Sequence, residues 1–280
     1  MKLAIAVVVG FTLLALVRGQ GKPDYDYSQQ GDNFGEIDAR CNGRRQSPIR
    51  LDTRSSYPLT ETRPLTLEGY AEDPTQVAVT NDGKTATYGF QYANGRPIVA
   101  RGGPLQGNFS FASLHFHWGS RSSRGAEHVV DNRTYAMEMH LVFFNQRYGT
   151  FENAQNRTNG LAVLGIFFVS DSGSNPDYRW IDALSQVQNA PSTYTLPDPT
   201  AFNIKGLIGS RRRPYFSYQG SLTTPPCYQT VTWMVQRKPL PITENQLNAF
   251  RSLKQKNGEP LVDNYRKPQP LNGRRVSLYR

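Results

Sequence analysis

The 280-residue chain contains four histidines, and two of them, His115 and His117, stand one residue apart in the run SLHFHWGS. Successive side chains of an extended strand alternate between its faces, so both imidazoles project to the same side. His140 lies 23 residues further on in YAMEMHLVFF, a second strand-like run. Antiparallel pairing of these runs, through the glycine-containing segment SRSSRGAEH, brings the third imidazole to that face. Three imidazoles on rigid strands, with a fourth position open to water, form the donor set of a catalytic zinc; a structural zinc is closed by four protein ligands. Glu138 shares a strand face with His140 and is placed to accept an imidazole N–H and orient the ring. The competing interpretation is of ordinary sheet histidines hydrogen-bonded in place and a surface carboxylate. Having three of the chain's four histidines in this relation weighs against it.

An H-x-H pair on a strand also occurs in cupins, where a glutamate ligand follows within a few residues. Here no carboxylate follows His117 until Glu127, so that spacing fails.

The elements that must hold such a site are mostly strands. Short alternating runs broken by Gly, Pro and Asn recur at 110–118, 134–144, 161–169, 215–221 and 228–236, and Asn81-Asp82-Gly83 reads as a tight turn joining two more. Helical spacing appears in NPDYRWIDALSQVQNA, through Trp180, Ile181, Leu184 and Val187. It appears again in ITENQLNAFRSL, where Thr243 and Gln246 form a candidate capping box. No internal repeat and no linker long enough to separate two cores is present. The expected fold class is mainly β (α+β): a single domain around a large, twisted, mostly antiparallel central sheet with short peripheral helices.

The opening MKLAIAVVVGFTLLALVRGQG pairs a basic start with an apolar run and small residues, the pattern of a signal peptide. The expected division is a signal over residues 1–19 and one domain over 20–280, giving a secreted, extracellular protein. No other stretch is long and apolar enough to span a membrane. The formal charge is +10, but the cations are scattered, with only Arg211–Arg213 forming a run, which argues against nucleic acid as a partner. Cys41 and Cys227 are the only cysteines, and in an oxidising compartment they are expected to form one disulfide. Asn108, Asn132 and Asn156 head glycosylation sequons.

Taken together, RRQSPIRL, SLHFHWGS, GAEHVVD, YAMEMHLVFFN, GLAVLGIFF, GSLTTPPC, VTWMV and LVDNYRKPQPLNGR resemble the alpha-class carbonic anhydrases, in the family's order from about Tyr25 to Arg275. The disulfide pairing is similar to that of the family's secreted and cell-surface branch. The resemblance implies a zinc lyase, held by His115, His117 and His140, that reversibly hydrates carbon dioxide to bicarbonate and a proton by way of zinc-bound hydroxide. It implies that Thr223 accepts a hydrogen bond from that hydroxide and donates to Glu127, and that Thr224 contacts substrate. Val142, Val163, Leu222, Val231 and Trp233 become the apolar wall for carbon dioxide; by pattern alone each reads as core. Asn264 matches a residue whose backbone carbonyl supports His117, and His128 matches a buried structural position beside Glu138.

Three positions depart from the family's pattern. Lys84 stands where the fastest members carry a proton-shuttling histidine. A lysine ordinarily titrates near 10.4, well above a zinc-bound water near 7, and so is a poor shuttle. Ser113 replaces a glutamine that bonds the first ligand's outer nitrogen, and Thr87 replaces an asparagine on the cleft wall. The rival functions are a non-catalytic carbonic-anhydrase-like binding or matrix protein, and a zinc hydrolase of activated esters. The presence of all three histidines with Thr223 and Glu127 disfavours the first, and the second suits a side activity.

Overall fold

The computed structural model describes residues 24–60, 63–95, 97–173, 176–202, 204–208 and 214–280. The expected signal at 1–19 and the Arg211–Arg213 run lie outside them. Among the described residues, no helix is long and apolar enough to cross a membrane.

Seven strands carry the site: β1 (Gln76–Asn81), β2 (Ala86–Gln91), β3 (Phe109–Trp118), β4 (Met137–Asn145), β5 (Leu161–Ser170), β6 (Tyr215–Gly220) and β7 (Val231–Gln236). They lie in the order β1-β2-β3-β4-β5-β7-β6 within a 13-stranded sheet, extended by Ser192–Thr195 beside β1 and by Ser277–Tyr279 beside β6. Pairing is antiparallel except where β5 meets β7 and Leu240–Ile242, and where Ser277–Tyr279 meets Tyr57–Leu59. The mainly β architecture with a few short helices therefore stands, as a mixed sheet.

The turn between β1 and β2 is built by its own side chains. The Asp82 carboxylate accepts the Lys84 and Thr85 N–H groups, and Gly83 takes φ +88°, which a side chain would oppose. This turn fixes where Lys84 leaves the sheet.

An irregularity in β3 decides which residues face the site. The register slips between Phe111 and Ser113, so Ala112 has no partner on β4. The odd-numbered Phe109 and Phe111 pack into one large core, and after the slip the even-numbered Leu114, Phe116 and Trp118 do so. A bulge of one residue inverts the alternation, which sends Ser113, His115 and His117 to the opposite face. That face carries a second core, including Val142, Val163, Val231 and Trp233.

The helix at Glu244–Arg251 has the expected capping box, Thr243 with Gln246. The segment Arg179–Gln186 forms 3-10 turns. Over eight residues an apolar stripe fits a period of three as well as 3.6, and Trp180, Ile181 and Leu184 are buried either way. A disulfide joins Cys41 to Cys227, tying the entry segment to the loop that follows β6.

Candidate metal centre

His115 pairs directly with His140 across β3 and β4, and His117 with Glu138. The three imidazoles each offer a nitrogen within 4.8 Å of the others. His117 and His140 are buried and His115 is half-buried.

The outer nitrogens determine what the inner ones present. His117 Nδ1 lies 2.7 Å from the Asn264 carbonyl oxygen, an acceptor only, so this nitrogen carries the proton. His140 Nε2 lies 2.8 Å from Glu138 Oε1, which takes its N–H in the same way. That leaves lone pairs on His117 Nε2 and His140 Nδ1, which face each other at 3.1 Å. Two lone pairs at that distance repel unless a cation or a shared proton lies between them. Neutral, inward-facing imidazoles are what zinc requires, so this donor set fits the metal. Burial pulls His117 below the usual imidazole value, Glu127 opposes the shift and His140 adds to it, which favours the neutral ring.

Glu138 is the anchor beneath the site. Its Oε2 accepts the backbone N–H groups of Glu127 and His128 at 2.9 and 2.8 Å, and its Oε1 takes His128 Nδ1 at 2.7 Å besides His140. Burial pushes the carboxyl up, but the charges and hydrogen bonds of His128 and His140 outweigh it and hold Glu138 well below the usual range. His128, Glu138 and His140 also cluster closely enough to suggest a metal site, but these contacts already satisfy one another. The network continues from His128 Nε2 to the Tyr218 hydroxyl and from there to Ser47. Gly165 lies opposite His140 on β5, and a Cβ there would come 3.0 Å from Glu138 Oε1.

Glu127 is fully buried. Its Oε1 accepts the backbone N–H of Arg266 at 2.8 Å. Its Oε2 has no hydrogen-bond partner among the described residues and lies 3.6 Å from His117 Nε2 and 4.0 Å from His140 Nδ1. The expected bond from Thr223 to this carboxylate is not made in the structure. Thr223 is buried in the loop between β6 and β7, and Thr224 beside it lies near the Tyr25 hydroxyl. Val142, Val163, Val231 and Trp233 are buried on the site's face with Leu222 packed against them, and the Trp233 ring stands 4.8 Å from that of His140.

Lys84 leaves the turn toward the chain's entry segment. Its ammonium lies 2.6 Å from Asp24 Oδ1 and 4.0 Å from the centre of the Tyr25 ring. Thr87 stands opposite His115 on β2 and Ser113 opposite Val142 on β4. Asn108, Asn132 and Asn156 are all exposed.

Asp24, Tyr25, Arg266 and Tyr218 were not singled out as site residues by the sequence. Each touches the site from more than 50 positions away along the chain, through contacts such as Lys84 to Asp24 and Arg266 to Glu127, and no local pattern marks them.

The family model for the eukaryotic-type carbonic anhydrase matches residues 29–280. Carbonic anhydrase 7 of Mus musculus is 36% identical over 257 residues, covering 90% of this chain and 95% of that protein. Carbonic anhydrase 3 of Homo sapiens is 33% identical over 251 residues, covering 88% and 93%, and carbonic anhydrase 7 of Homo sapiens 37% over 241, covering 84% and 89%.

These relatives correct one expectation. A secreted, extracellular location was inferred from the apolar opening run, the sequons and the likeness to the secreted branch, whereas the relatives matched are carbonic anhydrases 7 and 3, outside that branch. An apolar run with a basic start is a compositional signal that many segments satisfy, and exposed sequons record only accessibility. Fold and relatives agree on the rest: the chain belongs to the eukaryotic-type carbonic anhydrase family and is a zinc-using carbonate dehydratase.

Proposed function

We propose that His115, His117 and His140 hold the zinc, that Thr223 and Glu127 position the attacking oxygen, and that release of the proton is slowed by the lysine at position 84. The supporting observation is the convergence of inward lone pairs at 3.1 Å from two imidazoles whose outer nitrogens are already engaged. Zinc, when bound, lowers the pKa of a ligand water to about 7 and so supplies a nucleophile at neutral pH.

The protein residues then do four things. Asn264 and Glu138 hold His117 and His140 in the tautomers that ligate. The Thr223 hydroxyl would accept a hydrogen bond from the attacking oxygen and donate its own to Glu127 Oε2, the buried oxygen left without a partner in the structure; this would direct the lone pair at carbon dioxide, a positioning effect. The wall of Val142, Val163, Leu222, Val231 and Trp233 receives a substrate without charge or dipole, while Thr224 contacts the bicarbonate formed. Carbon dioxide and water give bicarbonate and a proton, and the proton must leave for bulk solvent. At the usual shuttle position the Lys84 ammonium is bound to Asp24 and the Tyr25 ring, turned toward the entry segment. Ser113 stands on the same strand face as His115, where the family's pattern has a longer glutamine.

Zinc content and carbon dioxide hydration of the purified protein, measured beside His140→Ala, test the assignment. One zinc per chain and hydration abolished in the variant are expected. A protein without zinc, or hydration unaffected by the substitution, would leave a carbonic-anhydrase-like binding role instead.

A further inference from the structure

On the outer side of the disulfide, away from the histidines, a groove of about 460 Å³ runs between residues 39–45, 156–159 and 227–230, within the size range of small-molecule sites. Its lining contains Arg40 and Arg45 together with asparagine, glutamine, threonine and tyrosine, and among the described residues no carboxylate. The two arginines differ. Asp38 grips Arg40 through two nitrogens, and a third donates to the Tyr228 hydroxyl, so its charge is already matched. Arg45 is exposed and makes no ion pair with any described residue.

A second cation stands behind Arg45. Arg274 is pinned by the carbonyl oxygens of Leu271, Gln219 and Pro270; burial lowers its pKa, Tyr218 opposes the shift, and Arg45 adds a smaller repulsion. Arg44 is exposed beside them, its carbonyl taking a bond from Asn272. Guanidinium groups held near one another without a neutralising acid lower the cost of bringing an anion among them.

The rest of the lining asks for more than an anion. The Arg45 backbone N–H bonds Gln229 Oε1, and Gln229 lines the groove with its NH2 making no hydrogen bond to a described residue. The lack of a side chain at Gly43 allows this approach, since a Cβ there would lie 2.6 Å from Gln229 Oε1. Asn159 spends its NH2 on the Gln106 backbone carbonyl and keeps an amide oxygen to accept, whereas the Asn42 amide lies against Gly35 and bonds its carbonyl. Fixed amide donors and acceptors beside a free guanidinium match a ligand that carries hydroxyl groups as well as negative charge.

We propose that this groove binds an acidic saccharide, with its sulfate or carboxylate on Arg45, backed by Arg274, and its ring hydroxyls on Gln229 and Asn159. The site is separate from the metal centre and independent of the catalytic assignment.

Dextran sulfate is the probe, titrated by calorimetry into the whole zinc-loaded protein, with neutral dextran and inorganic sulfate as parallel arms. Dextran sulfate is expected to bind and neutral dextran not to bind. Inorganic sulfate at equal sulfate concentration is expected to bind at least tenfold more weakly. Arg45→Ala should weaken binding about fivefold or more and lower the slope of log affinity against log salt by about one. Gln229→Ala should weaken it without changing that slope. Carbon dioxide hydration, unchanged in both variants, reports that they are folded, and Lys254→Ala/Lys256→Ala controls for general charge. Absence of binding, equal affinity for inorganic sulfate, or a lysine variant that loses as much as Arg45→Ala would overturn the proposal.

Discussion

His117 Nε2 and His140 Nδ1 stand 3.1 Å apart, while the far nitrogen of each ring is engaged by an acceptor, the Asn264 carbonyl for one and Glu138 for the other. The protein therefore builds a pair of lone pairs that only a cation relieves. Stripping zinc with a chelator is expected to lower the melting temperature and restoring it to recover the loss, since a metal bound only by the folded state stabilises it by mass action. Differential scanning calorimetry with and without zinc checks this; equal melting temperatures would count against the three histidines as the metal's seat.

The metal-free protein should lose stability in two steps as the pH falls. The folded value of His117 is depressed, so the unfolded chain binds its proton first. That contribution is present above about 6.5 and is lost as pH drops toward the lowered folded value, at up to about 1.4 kcal/mol per pH unit. Glu138 is depressed as well, so its contribution is present above about 4.5 and fades below it. Urea unfolding from pH 8 to 3, with His117→Gln alongside, is expected to show the upper step in the parent and not in the variant.

Gly165→Ala is expected to weaken zinc binding about 10- to 100-fold, the usual effect of disturbing a ligand's outer partner. The added methyl would meet Glu138 Oε1 at 3.0 Å, and that oxygen cannot swing away without releasing His128 and His140. Competition with a zinc chelator measures the change; an unchanged affinity would show that His140 is held by other means.

Turnover of the parent enzyme should rise with the concentration of an imidazole buffer, and Lys84→His should raise turnover in weak buffer about tenfold or more, a fraction of the roughly 10²- to 10⁴-fold ascribed to a well-placed proton-transfer group. Stopped-flow hydration at several buffer concentrations measures both. A parent that is fast and indifferent to buffer would remove the role given to Lys84.

Much of the sheet was legible because strand signals are local. The alternation in SLHFHWGS and YAMEMHLVFF located β3 and β4, and Asn81-Asp82-Gly83 marked the turn between β1 and β2, since both depend on neighbours along the chain. The 3-10 form of Arg179–Gln186 was not legible, because the two helical periods diverge too little over eight residues.

By itself the sequence determined which side chains have metal chemistry to offer, that His115 and His117 share a face, and the family to which the chain belongs. It could not determine which face that is. The slip at Ala112, which turns both histidines away from the larger core, depends on the register against β4. Only the tertiary structure decided that Glu127 Oε2 is left without a partner and that Lys84 turns to Asp24. The Lys84 to Asp24 contact joins residues 60 positions apart, and the histidines around Glu127 Oε2 come from two strands. The energies of these contacts arise from burial and approach across the folded sheet, which no window of the chain contains.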